Sequence, residues 1–218
     1  MQLTAQSRCN HKVQQYTKAY WDLRRGKVSA SPIHMLMSKT KSGTHSAGRA
    51  TYMAQLCIEQ LTNQTQDTYV SSAMAHGTQT EPLARSMYEV SEGVLVQEVG
   101  FILHPMIENS GASPDGVVQP NGLVEIKCPN SATHIRTLLG SKIEQKYIYQ
   151  MQWQMACTET DWCDFVSFDP RMPSGLQYFC ARVKRDAAII GKLEGEVTKF
   201  LIELAQQVKE LREYAGRK

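Results

Sequence analysis

The sequence lacks several of the patterns that would assign a function directly. It has no run of about 18 apolar residues, so we expect no membrane span, and its first residues lack the apolar segment of a signal peptide. The six cysteines form no C-x-x-C pair, which argues against a zinc or iron–sulfur site and predicts reduced thiols in a cytoplasmic protein. The histidines show no metal-ligand spacing, and no Ser-His-Asp, Cys-His or phosphate-loop pattern is present.

Internal repeats, low-complexity tracts and long flexible linkers are also missing. With 218 residues, 42% hydrophobic and 21% charged, the chain fits one globular domain with its own core. The net charge is only +3, yet residues 1–60 carry nine basic and two acidic side chains. A basic first third beside an acidic remainder is expected of a protein that holds a polyanion, although ordinary surface scatter would also explain it.

Hydrophobic periodicity predicts a mixed α/β chain with a small central sheet flanked by helices. We predict helices around Val13–Leu23, from a capped start at Ser29–Pro32, and at Arg49–Leu61, Ser72–Val90, Ser131–Leu139, Glu144–Cys157 and Asp186–Tyr214. We predict strands at Val94–Leu103, Leu123–Lys127, Trp162–Phe168 and Leu176–Val183. The last helix carries apolar residues at intervals of three and four, and we expect this stripe to pack on the protein's own core rather than on another subunit.

Two acids and a lysine carry the clearest chemical signal. Asp115 follows a proline, Glu125 lies ten positions on, and Lys127 two beyond that. In a strand, Glu125 and Lys127 point to the same face. Two carboxylates suit Mg²⁺, and the lysine can orient a water for phosphodiester hydrolysis. By itself the pattern stays ambiguous, because Asp-Gly is a common turn and Glu-x-Lys a common exposed-strand pair.

Several further segments accompany these three residues in a fixed order. They are Trp21 to Ser31, close to W-x-x-x-R-x-G-x-[IV]-[TS]-A-S but with the tryptophan one place nearer the arginine; the G-x-x-x-E segment from Gly77 to Glu81; Ser113-Pro114-Asp115-Gly116; Glu125-Ile126-Lys127-Cys128-Pro129; Tyr147-x-x-Gln150-x-Gln152; and Phe168 to Met172. Together they resemble the phage lambda exonuclease family, also called YqaJ-type viral recombinases, over about residues 20–180.

This resemblance implies a restriction-endonuclease-like PD-(D/E)xK fold. It also implies a Mg²⁺-dependent, processive 5′→3′ exonuclease that acts on linear double-stranded DNA, releases 5′-mononucleotides and leaves a 3′ single strand for phage recombination. Two Mg²⁺ ions are expected, with Mn²⁺ as a substitute. The expected partners are DNA ends, two further copies in a homotrimer ring and a single-strand annealing protein, in the cytoplasm of a bacterial host of a phage or prophage.

The resemblance also suggests roles for individual residues. Residues 1–218 would form a single nuclease domain with a basic DNA-end-binding portion (1–60), a catalytic core (72–185) and a C-terminal helix (186–214). The catalytic set is Asp115, Glu125, Lys127, Glu81 and Gln150, and the metal ligands are Asp115, Glu125, the Ile126 carbonyl and Glu81. The terminal 5′-phosphate would be held by Arg24, Ser31, Ser113 and Gln150, and DNA would contact Lys41, Arg49, Met74 and Tyr147. In this set Met74 is an apolar wedge between base pairs, and Tyr147 supports Gln150.

Two other functions share part of this signal. An endonuclease of the same fold would keep the Asp, Glu and Lys and would cut closed circles. A non-catalytic DNA-end-binding scaffold would bind ends without turnover, although an intact cluster of acids is costly to keep without a metal.

Overall fold

The structure is a computed structural model that describes residues 13–40, 42–66, 72–140 and 142–217. Within these ranges the helices are α1 (Lys18–Arg24), α2 (His34–Met37), α3 (Ala47–Thr62), α4 (Ser72–Glu92), α5 (Ser131–Gly140), α6 (Gln145–Thr158) and α7 (Ala187–Gly216), with a 3₁₀ turn at Ser174–Leu176. The strands are β1 (Val96–Gln97), β2 (Ile102–Leu103), β3 (Gly111–Ala112), β4 (Gly116–Val118), β5 (Gly122–Lys127), β6 (Trp162–Phe168) and β7 (Tyr178–Lys184).

Five of the strands form a mixed sheet in the order β1-β4-β5-β6-β7. β5 and β6 are parallel and pair from Gly122 with Trp162 to Lys127 with Ser167, while the other neighbours in this sheet are antiparallel. The parallel pair requires a crossover, which α5 and α6 supply. β2 and β3 form a separate two-stranded sheet.

Helices cover both faces of the central sheet. α4 packs Ala84 and Tyr88 on one face, against Val124 and Ile126 of β5. On the opposite face, α6 packs against Leu123 of β5 and its neighbours. Alternation along β5 therefore places Glu125 and Lys127 on the same face as Leu123, under α6.

The C-terminal helix α7 closes a larger helical core with α2, α3 and α6. Its buried residues recur at helical spacing: Ile190, Leu193, Val197, Phe200, Leu204 and Val208. Asp186 caps the helix by accepting hydrogen bonds from the backbone N–H groups of Ala188 and Ile189. The prediction that the stripe packs on the protein's own core is confirmed. Among the described residues, no helix is long and apolar enough to cross a membrane.

The predicted mixed α/β architecture is confirmed, and β6 has the predicted bounds. The predicted strand at 94–103 is wrong, because the chain there divides between β1 of the central sheet and β2 of the small one. Gly100 lies at this division, and a Cβ atom there would collide with the main-chain carbonyl of Val13. β3 and β4 were missed because each is only two or three residues long, too short for a period of two to be read.

The N-terminal helices also begin later than predicted. α1 starts at Lys18, after a cap at Thr17, because Tyr16 adopts a positive φ of 65° that no helix accommodates. The predicted cap near Ser29 is wrong. α2 begins at His34 with Ile33 at the cap position, and the Ser29 main-chain N–H instead donates to the Tyr52 hydroxyl.

Candidate active site

A cleft of about 610 Å³ opens between the N-terminal segment and the β4–β5 edge of the sheet. It brings together residues that are far apart in the sequence. The predicted site residues that line it are Arg24, Ser31, Met74, Glu81, Ser113, Asp115, Ile126, Lys127 and Gln150. The metal set and the phosphate set therefore share one cavity, as expected if both act on the same DNA strand.

Glu125 lies at the base of this site and is completely buried. Its Oε1 atom accepts a hydrogen bond of 2.6 Å from Gln150 Nε2, and its Oε2 atom accepts one of 2.6 Å from Gln154 Nε2. Lys127 forms an ion pair with Oε1. Both carboxylate oxygens are thus held by amide donors on one face of α6, and the orientation of Glu125 is fixed.

Asp115 lies in the loop that enters β4. Its Oδ2 atom accepts a hydrogen bond of 2.6 Å from the Ile126 main-chain N–H, which fixes its distance from β5. Burial and the charges of Glu125 and Glu81 raise the pKa of Asp115 well above its usual value, and Lys127 opposes this shift only partly. Burial and the neighbouring acids therefore disfavour the ionised form of Asp115.

Glu81 reaches the same site from α4. Its Oε1 atom accepts a hydrogen bond of 2.9 Å from Arg85 Nη2, and Arg85 also pairs with Glu98. Burial raises the pKa of Glu81 despite the charges of Arg85 and Lys127. Glu81 is therefore a third acid near Asp115 and Glu125, and it is also paired with Arg85, which is not one of the predicted metal-site residues.

Lys127 is held between the acids and an aromatic ring. Burial lowers its pKa, but the charges of Glu125 and Asp115 raise it more, so its pKa lies above the usual value. Its Nζ atom lies 5.4 Å from the centroid of the Tyr147 ring, and that ring packs 5.5 Å from Phe165. Tyr147 does not line the cleft and contacts Lys127 instead of Gln150, and its DNA contact stays a prediction.

The four predicted phosphate residues, Arg24, Ser31, Ser113 and Gln150, line the same cleft as Asp115. Arg24 Nη2 donates to the Ser29 hydroxyl at 2.8 Å, and within the described residues it forms no ion pair. Ser31 is exposed to the cleft, and the Ser113 hydroxyl lies 3.1 Å from the Tyr20 hydroxyl. Ser31 does not cap a helix, since α2 starts three residues later, so no helix N-terminus at Ser31 adds backbone N–H donors for a phosphate.

Arg49 does not line this cleft, and its contacts give no support to the predicted DNA contact. Its side chain is only 8% exposed, and its guanidinium donates to both carboxylate oxygens of Glu203 at 2.8 and 2.9 Å. It also lies 5.0 Å from the Phe200 ring centroid. These contacts use the guanidinium to attach α3 to α7.

Of the two remaining predicted DNA contacts, the structure describes only Met74. Lys41 lies outside the described residues. Met74 lies at the start of α4, lines the cleft and is 52% exposed, so core packing does not explain it and the wedge role stays a prediction.

Sequence reasoning missed Gln154, which is fully buried and holds Glu125 as directly as Gln150 does. The Y-x-x-Q-x-Q pattern favoured Gln152, but that side chain points away and donates to the Lys184 main-chain carbonyl. Residues four apart share a helix face, whereas residues two apart do not. The spacing from 150 to 154 is the signal that would have identified Gln154.

The donors in the cleft fit a hard divalent cation. Among the described residues, no group of three or more His, Cys, Asp or Glu side chains is arranged as a metal site. Mg²⁺ commonly takes only one or two carboxylates and completes its shell with water and phosphate oxygens, and Asp115 with Glu125 meets that need. Gln154 Oε1 is buried without a partner in the described part of the chain, and a site water would satisfy it.

Comparison with known proteins agrees with this geometry. The chain matches the model of the YqaJ-like viral recombinase domain over residues 19–161. It is 46% identical to an alkaline exonuclease, LHK-Exo, from Laribacter hongkongensis, over 92% of this chain and 99% of that one, with a TM-score of 0.86. The same enzyme in complex with dAMP gives a TM-score of 0.87.

A more distant structure shows the same fold. It is a phage-related exonuclease from Haemophilus somnus 129PT, 17% identical over 87% of this chain and 98% of that one, with a TM-score of 0.69. No curated protein sequence matches the chain significantly.

Proposed function

Because the chain belongs to the YqaJ-like viral recombinase family, we propose that it is a metal-dependent 5′→3′ exonuclease that acts on the ends of linear double-stranded DNA. The observation that carries this proposal is the cleft that Asp115, Lys127, Arg24 and Ser31 line together, with Glu125 buried against Lys127. The 46% identity to an alkaline exonuclease supports the same conclusion.

In this proposal Asp115, Glu125 and the Ile126 carbonyl hold Mg²⁺, and Glu81 joins them directly or through water. Two bound Mg²⁺ ions, or Mn²⁺ in their place, would activate the attacking water and neutralise the leaving 3′ oxygen. Lys127 orients that water through its Nζ donors. Gln150 and Gln154 keep Glu125 in one orientation, so little reorganisation is needed when the substrate binds.

The polarity of the proposed reaction depends on the phosphate-binding residues of the same cleft. A guanidinium with hydroxyl and amide donors suits a terminal phosphate dianion, and Arg24, Ser31, Ser113 and Gln150 offer that set. Each cut that releases a 5′-mononucleotide leaves a new 5′-phosphate for the same pocket. The enzyme would therefore be processive and would leave a 3′ single strand for recombination.

The assembly and partner are further parts of the proposal. By membership of its family, we expect a homotrimer ring around the DNA and a single-strand annealing protein that takes up the exposed 3′ strand.

The test is digestion of blunt linear duplex DNA labelled at each end, with and without a 5′-phosphate, in Mg²⁺ and in EDTA. We expect Mg²⁺-dependent release of the 5′ label as mononucleotide, faster with the phosphate and abolished by Lys127→Ala. Lys146→Ala is the matched control, because Lys146 lies over the same Tyr147 ring, 4.6 Å from its centroid, yet pairs with Glu144 instead of the site acids.

Other outcomes would lead to other functions. Release from the 3′ end, or cutting of closed circles, would retain the fold and overturn the proposed polarity and mode. DNA binding without turnover would leave an end-binding scaffold, and the catalytic roles above would be withdrawn.

A further inference from the structure

Three aromatic side chains lie together along the cleft. Tyr20 is buried, and the Trp21 ring meets it edge-on at 4.9 Å between centroids. The Tyr16 ring lies 6.2 Å from Trp21, also edge-on, with an interplanar angle of 61°. Tyr16 is 60% exposed, so the outer ring of this cluster faces the cavity rather than the core.

The backbone conformation of Tyr16 indicates that the surrounding chain holds its ring in this exposed position. Its φ of 65° lies in the left-handed region, where a bulky residue is a true outlier. The surrounding chain holds it there: Gln15 Nε2 donates to the Val99 and Pro114 carbonyls, each at 2.9 Å, and Thr17 caps α1. Such strain persists only where neighbours enforce it, and it concentrates at functional sites.

The cluster also contacts residues of the proposed site. The Arg24 guanidinium carbon is 5.8 Å from the Trp21 ring centroid. Tyr16 lines the cleft together with Glu81 and Asp115. Burial and the charges of these acids raise the pKa of Tyr16 to about 12, so its phenol stays protonated at neutral pH. Trp21 thus lies next to the proposed phosphate-binding arginine, and Tyr16 lies next to Trp21 in a cleft that the acids also line.

We propose that Tyr16 and Trp21 form a stacking platform for the base of the 5′-terminal nucleotide. This inference rests on the proposed function, because it assumes that Arg24 holds the terminal phosphate. Aromatic rings bind any base through its π-face and carry no sequence preference. Two rings set edge-on let a base stack on one ring while its edge meets the other.

Tyr16→Gly is the decisive variant. It removes the ring and also relieves the positive φ, since glycine adopts that region freely, so a loss of binding cannot come from a weakened fold. Tyr16→Phe keeps the ring and is the matched control.

The experiment measures binding without turnover. A 5′-phosphorylated duplex with 2-aminopurine as its 5′-terminal base is titrated in EDTA, beside a second duplex with an abasic 5′-terminal nucleotide. We expect Tyr16→Gly and Trp21→Ala to weaken binding of the first duplex about tenfold and to lose the fluorescence change of 2-aminopurine. Tyr16→Phe should behave as the wild type, and the melting temperature of Tyr16→Gly should not fall.

The abasic duplex separates stacking from indirect effects. The wild type should bind it as weakly as Tyr16→Gly does, with no further loss on combining the two changes. Equal losses on both duplexes would overturn the platform. If the wild type binds and degrades DNA while Tyr16→Gly is indistinguishable from it, only the platform fails; if the wild type neither binds nor degrades DNA, the proposed function fails.

Discussion

The two faces of the central sheet each bury a carboxylate, and they neutralise it in opposite ways. Asp164 of β6, on the α4 face, accepts two hydrogen bonds of 2.8 Å from Arg182 and one of 2.8 Å from the Tyr88 hydroxyl. Glu125 of β5, on the α6 face, is held by two neutral amides and shares Lys127 with Asp115. The first acid is saturated by its own partners, whereas the second belongs to a cluster of three acids, Glu125, Asp115 and Glu81.

One sheet thus carries a carboxylate with a structural role, Asp164, and a carboxylate that belongs to the candidate site, Glu125. A bidentate arginine pair fixes geometry and leaves nothing for a ligand to satisfy. In the cleft, burial and mutual repulsion disfavour the charged forms of Asp115 and Glu81, and a bound divalent cation would remove that cost. This contrast supports the proposed cation site in the cleft.

The largest expected effect follows from Asp115→Asn. Nuclease activity should fall at least about 100-fold, because the variant loses a metal-binding charge. The melting temperature in EDTA at pH 8 should stay the same or rise, because the buried charge is unfavourable in the folded protein. A large loss of stability would show that Asp115 has a structural role like that of Asp164, and would contradict the difference between the two faces of the sheet.

Asp164→Asn should do the reverse. It removes the negative charge and leaves a single amide oxygen as acceptor for Arg182 and the Tyr88 hydroxyl. We expect the free energy of unfolding to fall by about 2 kcal/mol, less than for a fully buried pair because Arg182 is half exposed. Activity per folded molecule should not change. Urea unfolding and active-site titration together measure this, and a catalytic defect without destabilisation would contradict it.

Gln154→Leu tests whether the amides orient Glu125. The variant leaves Glu125 Oε2 without its donor, so we expect kcat to fall about tenfold with little change in KM for DNA. Gln152→Leu is the control on the same helix, because Gln152 contacts Lys184 and the Asp186 main-chain N–H. It should lower stability and leave kcat intact, and equal effects of the two changes would refute an orienting role.

Asp169, just after β6, is a second acid with a structural role, and its pKa makes the stability of the protein depend on pH. Burial raises its pKa, but hydrogen bonds from Arg171 and Ser131 lower it more, to about 2. Since the folded pKa lies below the unfolded value, the resulting stability is present above about pH 4 and is lost as the pH falls towards 2. The stability difference between wild type and Asp169→Asn should shrink over that window, and a difference independent of pH would contradict the assignment.

The smallest effect concerns the arginines. Arg24→Ala should reduce the slope of log binding constant against log salt by about 1, and it should shorten the tracts digested per binding event. Arg49→Ala should leave both unchanged, because its guanidinium is already neutralised by Glu203. Unchanged product lengths for Arg24→Ala would remove the phosphate pocket from the proposal.

The sequence predicted those features that depend on local pattern or on the family resemblance. β6 was correct because its apolar run has clear ends, and Glu125 and Lys127 share a face because strand alternation requires it. Arg49 could not be placed, because its partner Glu203 lies 154 residues away and no local signal links them. The late start of α1 was missed for the opposite reason: a strained turn at Tyr16 overrides a helical pattern.

The short link between Ser113 and Asp115 bears on how far the protein advances along DNA at each turnover. Ser113 belongs to the proposed phosphate anchor and Asp115 to the proposed cutting centre, and only Pro114 separates them. Two peptide steps span at most about 7 Å, and the proline ring removes most of the freedom in between. The short link therefore fixes the distance between the proposed phosphate anchor and the proposed cutting centre. We expect the protein to remove one nucleotide per turnover, whatever the DNA sequence.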